Sequence, residues 1–172
     1  MPETLNTLKT RRSCRAYRPD PVEEEKLQQI LEAGTYAATG MGWQSPIILA
    51  VTDREMRDRL SRMNAAVMGR DMDPFYGAPV VLVVLADRSI VTHVYDGSLV
   101  MGNLMNAAHA IGLGSCWIDR AEPVFETEEG KALKAKWGVS EEYVGVGHCI
   151  LGHTDETPEP KPRKDGYVIY AE

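Results

Sequence analysis

The stretch from Asp96 to Ile111 most constrains how this chain can fold, because it has the length of a helix and almost no polar face. Its apolar side chains point in every direction around a helix: Leu99, Val100, Met101, Leu104, Met105, Ala107, Ala108 and Ile111. A helix that is apolar nearly all round must be covered on all sides. A chain of 172 residues offers few elements for that cover. The stretch therefore predicts that a partner subunit supplies part of it.

Length and composition fit a single globular domain over residues 1–172, which are 44% hydrophobic and 26% charged. The longest strongly apolar run, Val80 to Ala86, is too short to cross a membrane, and the start of the sequence has no apolar signal region. Cys14, Cys116 and Cys149 form no CxxC pair. Few and unpaired cysteines favour a reducing compartment, and we predict a cytoplasmic protein.

The charge of the chain is acidic overall but its cations are concentrated at two places. The net charge of −6 argues against binding to nucleic acid or to an anionic membrane. The first cluster comprises Arg11, Arg12, Arg15 and Arg18, and the second Lys161, Arg163 and Lys164. Guanidinium groups bind phosphate in a bidentate manner. The clusters predict an anion site, with solvated basic loops as the alternative.

Helical and strand patterns alternate along the chain, which predicts an α/β or α+β sandwich. Helices are expected at 4–10, 96–111 and 127–137. Two more are expected to follow N-cap residues: one runs from Pro21 to about Ala38 after Asp20, and the other begins after Asp53. Strands are expected at 47–51, 80–85, 115–118 and 143–151. A proline-rich tail begins near Thr154 and ends in the strand-like run Tyr167–Tyr170. Such a strand needs a sheet edge, either its own or a partner's.

Two groups of reactive side chains raise other hypotheses. His148, Cys149 and His153 are metal-ligand types, but in a strand His148 points to the opposite face from both others. A buried cysteine with flanking histidines is therefore preferred to a metal site. Cys14 lies among arginines, which lower the pKa of a thiol, so a redox protein that uses a reactive Cys14 thiolate is a second hypothesis. Gly112-Leu113-Gly114 follows a helix rather than a strand, so it is not a dinucleotide fingerprint.

Five segments, in order along the whole chain, resemble the FMN-dependent nitroreductase family. They are Arg11–Tyr17, Ala38–Pro46, Asp73–Val81, the pair of Asp96–Ala108 and Gly112–Ile118, and the closing Gly147–Gly152 with Lys161–Arg163. The resemblance implies an α+β fold whose central mixed β-sheet is flanked by helices. It also implies an intertwined homodimer with one FMN at each of two interface sites. The extension 154–172 would reach the partner subunit and exchange its C-terminal strand.

The activity that the resemblance implies is a ping-pong oxidoreductase. NADH or NADPH would give a hydride to flavin N5, and a small acceptor such as a nitroaromatic or a quinone would then take the electrons at the same place. No protein nucleophile is required, because the cofactor performs the chemistry. The alternative is an FMN-binding carrier or sensor without turnover.

The resemblance also assigns roles to residues by position. The phosphate and ribityl ligands of the family match Arg11, Arg12 and Ser13, and its C-terminal cations on the phosphate match Lys161 and Arg163. Arg15 matches the cation beside flavin N1, and Asn64 matches an amide at the pyrimidine edge. The loop that reaches the partner's flavin matches Thr39, Gly40 and Gly42. The family often has Asn where Gly42 stands. Candidates for the pocket wall, or else for dimer packing, are Met41, Trp43, Phe75 and Tyr76.

Overall fold

The structure is a computed structural model that describes residues 2–171. Its elements in chain order are α1 (Glu3–Thr10), α2 (Glu24–Thr35), a 3₁₀ turn (Gly40–Gly42), β1 (Ile47–Val51), α3 (Arg54–Met68), β2 (Val80–Asp87), α4 (His93–Ala110), β3 (Gly114–Ile118), α5 (Ala121–Glu126), α6 (Glu128–Lys136) and β4 (Tyr143–Gly152). The predicted alternation of helices and strands is confirmed. Over residues 2–171, no helix is long and apolar enough to cross a membrane.

The four strands form one sheet in the order β1-β2-β4-β3, and all three pairings are antiparallel. The expectation of a mixed sheet is therefore wrong for the single chain, whose strands pair only in antiparallel fashion within residues 2–171. The one parallel contact found within residues 2–171 is an isolated bridge between Ser13 and Ser115. The predicted tail strand does not pair with this sheet, so it adds no parallel neighbour to it.

The sheet separates two hydrophobic cores, and β2 contributes to both. Val81, Val83 and Leu85 face the core that α3, α5 and α6 cover, while Leu82 and Val84 face the core under α2 and α4. A strand with apolar residues at every position is the pattern of burial on both faces. β2 is buried along its length from Val80 to Ala86, as its composition predicted.

Helix α4 lies on the sheet with one face and leaves the other uncovered. Met101 and Leu104 are fully buried, and Gly97 permits the helix to approach Val146, whose Cγ2 lies 2.6 Å from where a Cβ would stand. Tyr95 and Leu99, however, are 71% and 50% exposed. The helix is confirmed, but the single chain does not provide the cover that its apolar outer face requires.

Two local predictions were wrong for identifiable reasons. Helix α2 begins at Glu24 rather than at Pro21, because the carboxylate of Asp20 pairs with Arg18 at 3.2 Å instead of capping the helix. Helix α5 was not predicted, since it is short and contains Pro123. Proline is tolerated there because it lies in the first turn, where no backbone N–H is needed. Asp53 does cap α3, accepting the Met56 N–H at 2.8 Å.

The tail leaves the body of the protein after β4 and ends in exposed side chains. Tyr167, Val168, Ile169 and Tyr170 form no strand within the chain, and Tyr170 is 89% exposed. The strand prediction for this run therefore fails for the single chain. The physical reason is that no edge of the chain's own sheet meets it.

The core under α3 and α5 contains a completely buried histidine. His148 lies between the rings of Phe75 and Phe125, at centroid distances of 5.2 and 6.3 Å, and Cys149 beside it is also fully buried. His148 and Cys149 are therefore core residues, which is the interpretation that the sequence favoured. Among residues 2–171, no group of three or more His, Cys, Asp or Glu side chains could hold a metal ion.

Burial of His148 predicts an acid-sensitive fold. Burial lowers the pKa of His148 to about 4, against 6.5 in the unfolded chain. Between these values the unfolded state binds the extra proton, so the free energy of unfolding falls as the pH falls, by about 3 kcal/mol in all. We expect His148→Leu to show a shallower pH dependence over this range in denaturant titrations. The slope of the free energy of unfolding against pH is compared, rather than its absolute value, because leucine also changes the packing. An unchanged slope would contradict the prediction.

Candidate functional site

The arginine segment, residues 11–18, crosses one end of the sheet. The Cys14 N–H donates to the Ser115 carbonyl at 3.0 Å and the Arg18 N–H donates to the His153 carbonyl at 2.9 Å. The segment therefore runs from the start of β3 to the residue after β4. Glycines permit this approach, since a Cβ at Gly114 would lie 3.1 Å from the Cβ of Cys14. The sheet thereby fixes the backbone that carries the first cation cluster.

Arg11 has a buried guanidinium nitrogen without a partner. Its Nη1 is inaccessible to solvent and makes no hydrogen bond within residues 2–171. Arg12 is held differently, because its Nη1 donates to the carbonyls of Lys9 and Arg11 at 2.9 and 2.7 Å. A buried N–H group without a hydrogen-bond partner is costly, although the Arg11 residue as a whole is half-buried. An anion at this position would satisfy it, so the residues present fit a phosphate group.

Glu156, from the start of the tail, holds the backbone of Arg15 in place. Its Oε2 accepts the N–H groups of Arg15 and Ala16, the latter at 3.1 Å. Thr154 completes the contact, since its hydroxyl donates to the Ala16 carbonyl at 2.5 Å and accepts the Glu156 N–H at 3.0 Å. The side chain of Arg15 itself is exposed. The tail thus orients the segment from which Arg15 projects.

Cys14 does not have the features of a reactive thiolate. It is 7% exposed, and burial followed by the nearby Glu156 carboxylate raises the pKa of its thiol. The charge of Arg11 lowers the pKa, but it is the weakest of the influences on this thiol. The prediction that neighbouring arginines activate Cys14 was wrong, because the carboxylate and the burial outweigh them.

The loop from Thr39 to Gln44 is a strained segment that the start of α4 holds. The backbone φ angles are 54° at Met41, 69° at Gly42 and 51° at Gln44. These values lie in the left-handed region, which residues other than glycine rarely adopt. Strain of this kind persists only where the surroundings enforce it. Here the Asp96 carboxylate accepts the Gly40 N–H at 3.0 Å, and the Thr39 hydroxyl accepts the Gln44 N–H at 3.0 Å.

This loop does not meet the arginine segment within one chain. The loop contacts the first turn of α4 through Asp96, whereas Thr10 and the arginines lie beside His109 in its last turn. At 1.5 Å per residue the two contacts are about 20 Å apart. Met41 at the loop's tip is 85% exposed. A groove of about 680 Å³ runs beside the loop, between α2, β1 and α4.

Asn64 lies in the core rather than at the arginine segment. It is fully buried; its Nδ2 donates to the Asp119 carbonyl at 2.8 Å and its Oδ1 accepts from Arg120 at 3.0 Å. Asp119 follows the last residue of β3, whereas the arginine segment contacts Ser115 near the first. The assignment of Asn64 to the pyrimidine edge is therefore withdrawn, because partners in the core occupy its amide.

Other predicted site residues make no hydrogen bond or ion pair with the arginine segment within residues 2–171. Lys161 and Arg163 are exposed in the tail, where an Arg163 Nη2 donates to the Lys161 carbonyl at 2.7 Å. Phe75 is fully buried in the core, so it cannot form a pocket wall. Trp43, in contrast, is 56% exposed beside the strained loop.

Two carboxylates with positioning roles were missed in the sequence. Asp96 is 3% exposed and holds the strained loop. An acidic residue in the first turn of an otherwise apolar helix was the signal that could have identified it. Glu156 had no such signal, because its partners Arg15 and Ala16 lie 141 and 140 residues away in the sequence.

Comparison with known proteins agrees with this architecture. The family model described as "Nitroreductase family" matches residues 8–153. A protein of Archaeoglobus fulgidus, provisionally named NADH dehydrogenase/NAD(P)H nitroreductase, is 32% identical over 97% of this chain and 91% of its own. The FMN reductase [NAD(P)H] of Bacillus subtilis is 27% identical over 95% of this chain and 70% of its own. A Bacteroides fragilis nitroreductase solved with bound FMN superposes with a TM-score of 0.91, at 27% identity and full coverage of both chains.

The family match and the fold match thus span the same elements that position the arginine segment and the strained loop. The matched residues extend from α1 to the residue after β4. On these grounds, the chain belongs to the nitroreductase family.

Proposed function

We propose that this protein is an FMN-dependent oxidoreductase that uses NADH or NADPH to reduce a small acceptor such as a nitroaromatic or a quinone. The observation that carries the proposal is the buried, unpartnered Nη1 of Arg11, at the first of the family's motifs. The names of the relatives support it, since one is an FMN reductase and another was solved with bound FMN. When bound, FMN would supply the redox chemistry.

The residues of the chain bind and orient the cofactor in this proposal. Arg11 and Arg12 hold the phosphate, and Ser13 lies next to them on the ribityl side. Arg15 lies beside flavin N1, and Glu156 fixes its backbone. A cation placed where negative charge develops on reduction stabilises the reduced state without reorganisation.

We infer that the functional unit is a homodimer in which each site is completed by the partner. Three surfaces support this inference: the uncovered face of α4 at Leu99, the exposed run Tyr167–Tyr170, and the strained loop with Met41 exposed at its tip. The loop lies about 20 Å from the arginine segment of its own chain, which is consistent with a role at the partner's site. Thr39, Gly40 and Gly42 then reach the partner's flavin, and Lys161 and Arg163 add cations to a phosphate.

The role of Arg15 predicts a change in reduction potential. We expect Arg15→Ala to lower the potential of bound FMN, because reduced flavin is anionic and oxidised flavin is neutral at N1. The expected loss is about 1–3 kcal/mol, or roughly 20–60 mV for a two-electron couple. Spectroelectrochemical titration with FMN in excess measures it. Arg18→Ala is the matched control, since Arg18 pairs with Asp20 and Asp155 instead. Equal potentials in both variants would contradict the role of Arg15.

Two other functions are separable from this one by experiment. A carrier or sensor would bind FMN but be reduced slowly by both nucleotides. A thiol redox protein would keep activity without flavin and lose it in Cys14→Ser, an outcome that the burial of Cys14 disfavours. Anaerobic reduction of the FMN-loaded protein by NADH or NADPH, followed by reoxidation with a panel of acceptors, tests the proposed activity. The cytoplasmic location stays a prediction.

A further inference from the structure

His109, in the last turn of α4, makes one hydrogen bond whose direction can be deduced. Its Nε2 lies 2.8 Å from the Thr10 hydroxyl oxygen, and the same oxygen lies 2.8 Å from the Asn6 carbonyl. A carbonyl only accepts, so the single hydroxyl proton of Thr10 is given to Asn6. His109 must therefore donate from Nε2. In the neutral ring, the remaining nitrogen, Nδ1, then carries a lone pair and no proton.

The surroundings of His109 disfavour protonation of its ring while no anion is present. Burial, and then the charges of Arg11 and Arg12, lower the pKa of His109. Two helices pack against α4: α1 carries Glu3 and Lys9, and α2 carries Glu24, Glu25, Lys26 and Glu32. From Val100 onward, α4 has no ionisable residue except His109, and β3 has only Cys116. Among these charges, Arg11 and Arg12 act on the ring, and they oppose its protonation.

A phosphate on the arginines would reverse that balance. Thr10, the partner of His109, directly precedes Arg11, whose buried Nη1 lacks a counter-charge. An anion at Arg11 would cancel the repulsion and attract a proton to Nδ1. The Nε2 bond to Thr10 remains in place, because Nε2 donates in both the neutral and the protonated ring.

We propose that His109 is an additional, proton-dependent member of the phosphate site, which takes up a proton from solvent at Nδ1 when the FMN phosphate binds at Arg11 and Arg12. This inference rests on the proposed function, since it takes the arginine segment as the phosphate site. It makes the affinity for FMN, but not for riboflavin, depend on the protonation of one histidine.

The test compares wild-type protein with His109→Gln at several pH values. Glutamine keeps an N–H donor for Thr10 but cannot take a proton. Dissociation constants for FMN and riboflavin are measured with the full chain by quenching of flavin fluorescence. The phosphate of FMN has its own ionisation near pH 6, but this is common to both proteins and cancels in their ratio.

We expect equal FMN affinities at the alkaline end and about tenfold tighter binding by the wild type at the acidic end. Riboflavin should bind equally to both proteins at every pH. Upward displacement of the His109 ring titration by FMN, followed by NMR, would be the direct signature. A ratio of FMN affinities that does not change with pH would overturn the inference and leave the proposed function standing. Failure of the wild type to bind FMN at any pH would overturn both.

Discussion

Replacing Arg11 by glutamine is expected to weaken FMN binding by about 10- to 150-fold, the value of a hydrogen bond to a charged group. The reason is that Arg11 carries the buried Nη1 for which residues 2–171 provide no partner. Riboflavin lacks the phosphate, so its affinity should not change. Fluorescence titration with the two flavins measures the difference directly.

Two further measurements make the Arg11 prediction specific. Arg18→Gln changes an arginine of the same segment that is exposed and paired with Asp20 and Asp155, so it should retain wild-type affinity for both flavins. The flavin-free Arg11→Gln protein should unfold no more readily than the wild type, because the substitution removes a buried Nη1 that makes no hydrogen bond within residues 2–171. Equal losses of FMN and riboflavin, or equal losses in the two variants, would show that Arg11 does not hold the phosphate.

Truncation after Pro158 is expected to abolish the dimer and to weaken FMN binding by about a hundredfold or more, roughly the contribution of two charge-assisted bonds. The truncation removes Lys161, Arg163 and the exposed run Tyr167–Tyr170. It keeps Thr154 and Glu156, so the backbone of the arginine segment stays anchored. Analytical ultracentrifugation and the FMN content of the purified protein measure the two effects.

A charge variant separates the two parts of the tail. Lys161→Gln combined with Arg163→Gln leaves the apolar run intact, so this protein should remain a dimer and lose only part of its FMN affinity. A truncated protein that is still a dimer and binds FMN as tightly as the wild type would exclude any role of the tail in the partner's site.

Features that depend on local pattern could be predicted from the sequence. The apolar run Val80–Leu85 became the central strand because no polar residue interrupts it, and Asp53 caps α3 because its partner lies only three residues away. The uncovered face of α4 was also foreseen. A helix without a polar side must meet more surface than one small chain provides.

Features that depend on distant partners could not be predicted. The amide of Asn64 bonds to Asp119 and Arg120, and the sequence does not show that β3 brings these residues together. Cys14 was misjudged because the fold buries its thiol and brings Glu156, from the far end of the chain, close to it. In each case a long-range contact overrode a short-range pattern.

The measurement that tests the central claim most directly is anaerobic mixing of the FMN-loaded protein with NADH or NADPH, followed by addition of a nitroaromatic or a quinone. We expect at least one nucleotide to bleach the absorbance of oxidised flavin in the protein much faster than that of free FMN. The acceptor should then restore the absorbance, with parallel double-reciprocal plots in steady state. Protein that binds no FMN, or bound FMN that neither nucleotide reduces faster than free FMN, would contradict the account.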